Sequence, residues 1–182
     1  MPPADCNLDG VPDDCEEDCD LNGAPDACEI AQDAGLDLNT NGVLDSCECS
    51  APVEYCLPGA NSSGNLARIE VLGLPSLSVN QLTLRVSGMP ANKPGLFFHG
   101  ANAANQVLGD GKLCVAAPIT RMDPPSVSNA SGVIDYPLDL GMFGLDSLSA
   151  GETRRFQLWF RDPQGGVFGF TFSSAVAVEF CP

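Results

Sequence analysis

Asp5-Cys-Asn-Leu-Asp-Gly-Val-Pro-Asp-Asp-Cys-Glu16 is followed by Asp18-Cys-Asp-Leu-Asn-Gly-Ala-Pro-Asp-Ala-Cys-Glu29 and by Asp37-Leu-Asn-Thr-Asn-Gly-Val-Leu-Asp-Ser-Cys-Glu48. Aligned on Gly10, Gly23 and Gly42, these are three copies of one phrase. Each copy puts an oxygen-bearing side chain at positions one, three, five, nine and twelve, with glycine at position six. Glycine at the sixth place suits a sharp turn, because a left-handed backbone costs it little.

That grid is the ligand pattern of an EF-hand calcium loop, in which position seven adds a backbone carbonyl and position twelve a bidentate carboxylate. The first copy maps onto Asp5, Asn7, Asp9, Val11, Asp13 and Glu16. The second maps onto Asp18, Asp20, Asn22, Ala24, Asp26 and Glu29. The third maps onto Asp37, Asn39, Asn41, Val43, Asp45 and Glu48. About three calcium ions are therefore expected. Magnesium fits less well because it holds its waters in six-coordinate geometry, and transition metals prefer imidazole or thiolate, whereas this segment has no histidine. The cysteine spacings lack the paired knuckles of a zinc site. Copies one and two each offer four carboxylates and copy three offers three, so the third site is expected to be the weakest.

Charge separates this segment from the rest. Residues 1–50 hold fourteen Asp and Glu and no Lys or Arg, while the remainder holds ten acids against eight bases. An acid block this dense otherwise reads as a disordered tail, but three copies in register argue for a cation-binding arm. A surface so negative excludes nucleic acid as a partner. No run of apolar residues is long enough for a transmembrane helix. Met1-Pro-Pro-Ala does not have the pattern of a signal peptide, so the leader of an exported form is expected to have been removed or to lie outside this sequence. Nine cysteines, six of them before residue 50, point to an oxidising, extracellular setting.

The spacing of the copies leaves little room for helices. Asp5 and Asp18 are thirteen residues apart and Asp18 and Asp37 nineteen, enough for about two helical turns in the second gap. Asp26-Ala-Cys-Glu29 reads as a capping box opening a short helix that Gly35 stops. The segment 5–48 resembles thrombospondin type 3 repeats and, more loosely, the duplicated calcium loops of dockerins, without the helices by which a dockerin docks. The thrombospondin likeness implies a non-catalytic, calcium-wrapped rod with almost no hydrophobic core.

Cysteines fall at positions two and eleven of the first two copies. Positions one and twelve would grip one ion, so their neighbours should lie close, and bridges Cys6–Cys15 and Cys19–Cys28 are expected. The alternative is Cys15–Cys19 across copies. Cys47, whose copy has Leu38 at position two, would then turn to Cys49 or Cys56.

Residues 51–60 form the expected linker, and 61–182 the second domain. From Tyr55 onward short strands alternate with turn residues. Strands are expected at 68–72, 81–87, 95–99, 112–116, 133–138, 156–161, 166–172 and 175–181. Leu82, Leu84 and Val86 share a face; so do Phe156, Leu158 and Phe160; so do Phe168, Phe170 and Phe172; so do Val176, Val178 and Phe180. This predicts a mainly β protein, an antiparallel β-sandwich of Ig-like or jelly-roll kind with an N-terminal arm of tandem EF-hand-like loops. The segment 55–181 also resembles a C-terminal β domain of large secreted bacterial proteins, a likeness that implies no activity.

Little in this domain speaks for catalysis. His99 is the only histidine and has no activating partner in the sequence; no nucleophile elbow or phosphate loop is present. Asp110, Asp123, Asp135, Asp139 and Asp162 are scattered turn residues rather than a glycosidase pair. Trp159 and Arg161 should face outward with Gln157, which makes them a candidate interface or glycan contact. Asn61-Ser-Ser and Asn129-Ala-Ser are sequons. The expected function is an extracellular, non-catalytic structural or adhesive protein, a self-assembling head-to-tail surface or fibre subunit. The alternative is a carbohydrate-binding or dockerin-like tethering module of a larger secreted protein.

Overall fold

The structure, a computed structural model, describes residues 5–19, 22–37 and 40–181. Its ten strands are β1 (Val53–Tyr55), β2 (Arg68–Leu72), β3 (Leu82–Ser87), β4 (Pro94–Gly100), β5 (Ala103–Leu108), β6 (Gly111–Val115), β7 (Thr120–Val127), β8 (Ile134–Leu138), β9 (Thr153–Arg161) and β10 (Phe170–Glu179). The chain is mainly β, and its strand pairings are antiparallel. A five-stranded sheet runs in the order β1-β10-β9-β4-β7, a three-stranded sheet in the order β2-β3-β8, and β5 with β6 forms a separate hairpin.

The two larger sheets face one core. Ile69, Leu82, Leu84, Val86, Ile134 and Leu138 from the small sheet join Phe97, Met122, Phe156, Leu158, Phe160, Val176, Val178 and Phe180 from the large one. Each strand delivers every second side chain inward because successive residues point to opposite faces. Burying a side chain of this size contributes about 1.5–3 kcal/mol relative to exposure. This arrangement fits a β-sandwich, and three of the expected alternating sets, those of β3, β9 and the end of β10, lie in this core.

The other expected set does not. Phe168 precedes β10 and is 65% exposed, while Phe170 and Phe172 belong to a second cluster with Phe98, Val115, Leu113 and Trp159. The cause is a register shift between Phe172 and Ala175, where Ser173 and Ser174 form a bulge. Phe172 lies opposite Trp159 and Val176 opposite Phe156, so residues of equal parity occupy opposite faces of one strand. Polar bonds hold the bulge. The Ser173 hydroxyl accepts from the Leu158 N–H (3.0 Å). That of Ser174 accepts from the Ile69 N–H (2.9 Å), linking the two sheets. The two strands expected at 166–172 and 175–181 are therefore one.

Three strands went unexpected. β7 contains Pro124 and Pro125, which suit it only because it is the open edge of its sheet. β5 is exposed along nearly its whole length and shows no apolar alternation. β1 lies within the stretch expected as linker and pairs with β10. Among the described residues no helix is long and apolar enough to cross a membrane.

Four disulfides tie the chain: Cys6–Cys28, Cys19–Cys47, Cys49–Cys181 and Cys56–Cys114. Cys49–Cys181 fastens the base of the arm to the residue that follows the last strand, and Cys56–Cys114 fastens the end of β1 to β6. Cys15 is free and exposed.

Candidate metal centre

The three acidic phrases fold alike. In each, glycine at position six has positive φ, +94° at Gly10, +90° at Gly23 and +86° at Gly42. In each, the carboxylate at position one accepts that glycine's N–H: Gly10 to Asp5 (3.1 Å), Gly23 to Asp18 (2.9 Å) and Gly42 to Asp37 (2.8 Å). The side-chain oxygen at position five accepts the N–H of position seven, from Val11 to Asp9, Ala24 to Asn22 and Val43 to Asn41. These local bonds are what Asp and Asn do in turns, and they curl each phrase around its own acidic side chains.

Each loop leaves through a helical turn that begins at position nine: Asp13–Cys15, α1 (Asp26–Gln32) and Asp45–Cys47. The position-nine carboxylate also closes the loop by accepting the N–H of position two, from Cys6 to Asp13 (2.8 Å) and from Cys19 to Asp26 (2.9 Å). Glutamate at position twelve then folds back onto an asparagine amide, Asn7 to Glu16 (2.7 Å), Asn22 to Glu29 (2.8 Å) and Asn41 to Glu48. The helix at 26–32 is present, but the capping box is not formed. Pro25 is the N-cap and Asp26 is already inside, its carboxylate spent on Cys19.

Among the described residues, five buried side-chain nitrogen and oxygen atoms lack a hydrogen-bond partner, and three of them are loop carboxylate oxygens: Asp5 Oδ1, Glu16 Oε2 and Glu29 Oε2. These are positions one and twelve of the first copy and position twelve of the second. A buried carboxylate oxygen without a donor is costly. Asp13 and Glu16 also bring carboxylate oxygens within 4.8 Å of each other, where like charges repel unless a cation lies between them. The donor set is hard oxygen throughout, which fits calcium or magnesium rather than a soft metal. The Cys6 and Cys28 sulfurs lie beside Asp13 and Glu16, and those of Cys19 and Cys47 beside Asp26, but all four are engaged in disulfides, so they are not thiolate ligands. Asp20 and Asn39, expected ligands at position three, lie outside the described residues.

The expected bridges Cys6–Cys15 and Cys19–Cys28 are not formed, nor is Cys15–Cys19. Each bridge instead joins position two of one copy to position eleven of the next, Cys6 to Cys28 and Cys19 to Cys47, with Cα separations of 5.9 and 6.1 Å, well inside bridging range. Position eleven sits in the exit turn of its loop, and the loops abut closely enough to offer that turn to the copy before. Cys47 is thereby engaged with Cys19 rather than Cys49 or Cys56. Counting could not decide this, since within-loop pairing strands Cys47 and neighbour pairing strands Cys15.

Elsewhere three of the scattered aspartates serve loops, while Asp123 and Asp135, expected in turns, lie in strands β7 and β8. Asp110 accepts the N–H groups of Phe168 and Gly169, Asp135 pairs with Arg85, Asp139 accepts from Gly141 and Asp162 from Ser62. His99 is buried, its Nε2–H donating to the Phe143 carbonyl (3.0 Å), and burial holds its pKa below the ordinary value of 6.5. Asn61 is buried and bonded to Gly88 and Ser63, a poor acceptor for a glycan. Trp159 is half-buried and Arg161 exposed, as expected for the outer face, but Gln157 is fully buried. Its amide is capped by the β5–β6 hairpin, with Cys114 N–H donating to Oε1 (2.9 Å) and Nε2 donating to the Lys112 and Ser173 carbonyls. The sequence carries no signal for that cover. No protein-family model matches this chain, and no curated protein matches it.

Proposed function

We propose that this is an extracellular, non-catalytic calcium-binding protein, a structural or adhesive subunit that assembles head to tail into a surface layer or fibre. The single observation that supports calcium is the set of buried, unpartnered carboxylate oxygens on Asp5, Glu16 and Glu29, inside loops that repeat one hydrogen-bond scheme. On this reading Asp5, Asn7, Asp9, Asp13 and Glu16 hold the first ion, with Asp18, Asp20, Asn22, Asp26 and Glu29 around a second and Asp37, Asn39, Asn41, Asp45 and Glu48 around a third. Position-seven carbonyls from Val11, Ala24 and Val43 complete the sets.

Four disulfides support an oxidising, extracellular location. An acidic, cross-stitched arm fixed to one β domain suits a connector, and heterologous contacts of that kind propagate into filaments. The exposed thiol of Cys15 offers a further intermolecular link. A glycan-binding reading is less well supported: the surroundings of Trp159 are apolar, whereas a sugar needs many hydrogen-bond partners. The test is negative-stain microscopy in millimolar calcium and then in chelator. Oligomers that dissociate on chelation are expected, and monodisperse monomers in both would refute assembly. Calorimetric titration separately checks for about three calcium sites.

A further inference from the structure

The outer face of the large sheet carries a cleft of about 430 Å³ that the proposed function does not use. Trp159, Phe170 and Phe172 form its base, Leu108 and Leu113 of the β5–β6 hairpin one wall, and Ile119 and Arg121 the other. The bulge in β10 turns Phe170 and Phe172 to this side. The hairpin is fixed above them: Asp110 N–H donates to the Phe170 carbonyl (3.1 Å), Cys56–Cys114 anchors β6, and a Cβ on Gly109 would collide with the Phe170 ring at 2.3 Å. The volume is in the range of small-molecule sites.

The polar chemistry of the lining is one-sided. Among the described residues that line it, the only polar side-chain groups are the Arg121 guanidinium and the Trp159 indole N–H, and both are donors without acceptor capacity. In a chain of net charge −16, Arg68, Arg85 and Arg154 are in ion pairs and Arg155 bonds the Ala101 carbonyl. Among the described residues no such partner is found for Arg121, nor for Arg161, which stands opposite Phe170 in the β9–β10 register. A ligand for this cleft must bring an apolar body and an acceptor-only, negatively charged head. We infer that the cleft binds a small amphiphilic carboxylate, such as a medium-chain fatty acid, with its chain among Trp159, Phe170 and Leu113 and its head at Arg121. A concavity of this size, walled by an anchored hairpin, suits a small molecule better than a flat protein surface.

Trp159 is the only tryptophan, so its fluorescence reports on the cleft directly. The experiment titrates the full chain with octanoate, octan-1-ol and octylammonium. Octanoate should give a saturable, one-site shift in Trp159 emission, and octylammonium should give none. Arg121→Gln, at an exposed position, should weaken octanoate roughly fivefold and leave octan-1-ol unchanged. Leu108→Asp, also exposed, should abolish the response to both. Absence of a saturable octanoate response, or equal responses to all three head groups, would overturn the inference. So would a signal that follows protein concentration alone with a doubled sedimenting mass, which would mean that a second copy fills the cleft.

Discussion

The arm and the β domain solve the same problem by opposite means. Between Asp5 and Cys49 the described residues include few that are buried, chiefly Cys28, Leu44, Asp26 and Asp37. In the β domain one core runs from Ala67 to Phe180. The arm compensates with covalent links. Closing loops of the lengths set by Cys6–Cys28 and Cys19–Cys47 removes about 3 kcal/mol of unfolded-state freedom each. What bridges cannot supply is relief for converging carboxylates, and there the proposed ions enter as a folding term. The difference teaches that the two parts should fail under different insults.

Chelation is the strongest way to break that contrast. Removing calcium should open residues 5–48 to protease while 61–181 stays resistant, read by mass mapping of limited digests. Equal resistance with and without chelator would leave the arm held by its disulfides alone. The reciprocal insult is Leu158→Ala, at a fully buried position. It should destabilise the β domain by about 2–5 kcal/mol in denaturant titration, with calcium stoichiometry unchanged.

Within the arm, Asp5→Ala should lose more calcium affinity than Asp37→Ala. Copy one holds four carboxylates and copy three holds three, so removing a ligand from the stronger site costs more. The loss should be of the order of tenfold or greater, and a larger loss for Asp37→Ala by calorimetry would reverse the ranking. Non-reducing peptide mapping checks the stitching: Cys19→Ser should release Cys47 as a free thiol and leave Cys6–Cys28 intact.

The smallest effect concerns His99. Burial depresses its folded-state pKa below 6.5, so the unfolded chain takes up a proton that the folded one resists. The contribution is absent above about pH 6.5 and becomes destabilising as pH falls below it. The Tm of the β domain should therefore drop between pH 7 and 5.5, and His99→Gln should flatten that decline. A profile unchanged by the substitution would assign the decline to other groups.

The stretches most legible in sequence were those whose determinants are local. Glycine at position six with acids around it folds as a turn whatever lies beyond, and strands such as 82–87 declare themselves by alternation. β7 was hidden because Pro124 and Pro125 argue against a strand until the strand is known to lie at a sheet edge. The capping box at Asp26 failed because its carboxylate had a better partner in Cys19, seven residues back.

By itself, then, the sequence determined the three acidic loops, their charge, and the inward faces of β3 and β9, since each depends on residues a few places apart. Only the tertiary structure decided which cysteines join, which side of the sheet Phe170 and Phe172 face, and that a hairpin covers Gln157 to wall the cleft beside Trp159. Those outcomes depend on contacts between distant parts of the chain. Cys49 meets Cys181 across 132 residues, and the two-residue bulge at Ser173 and Ser174 inverts everything before it. A local pattern cannot foresee either, because the energy that selects them is available only once the sheets have packed.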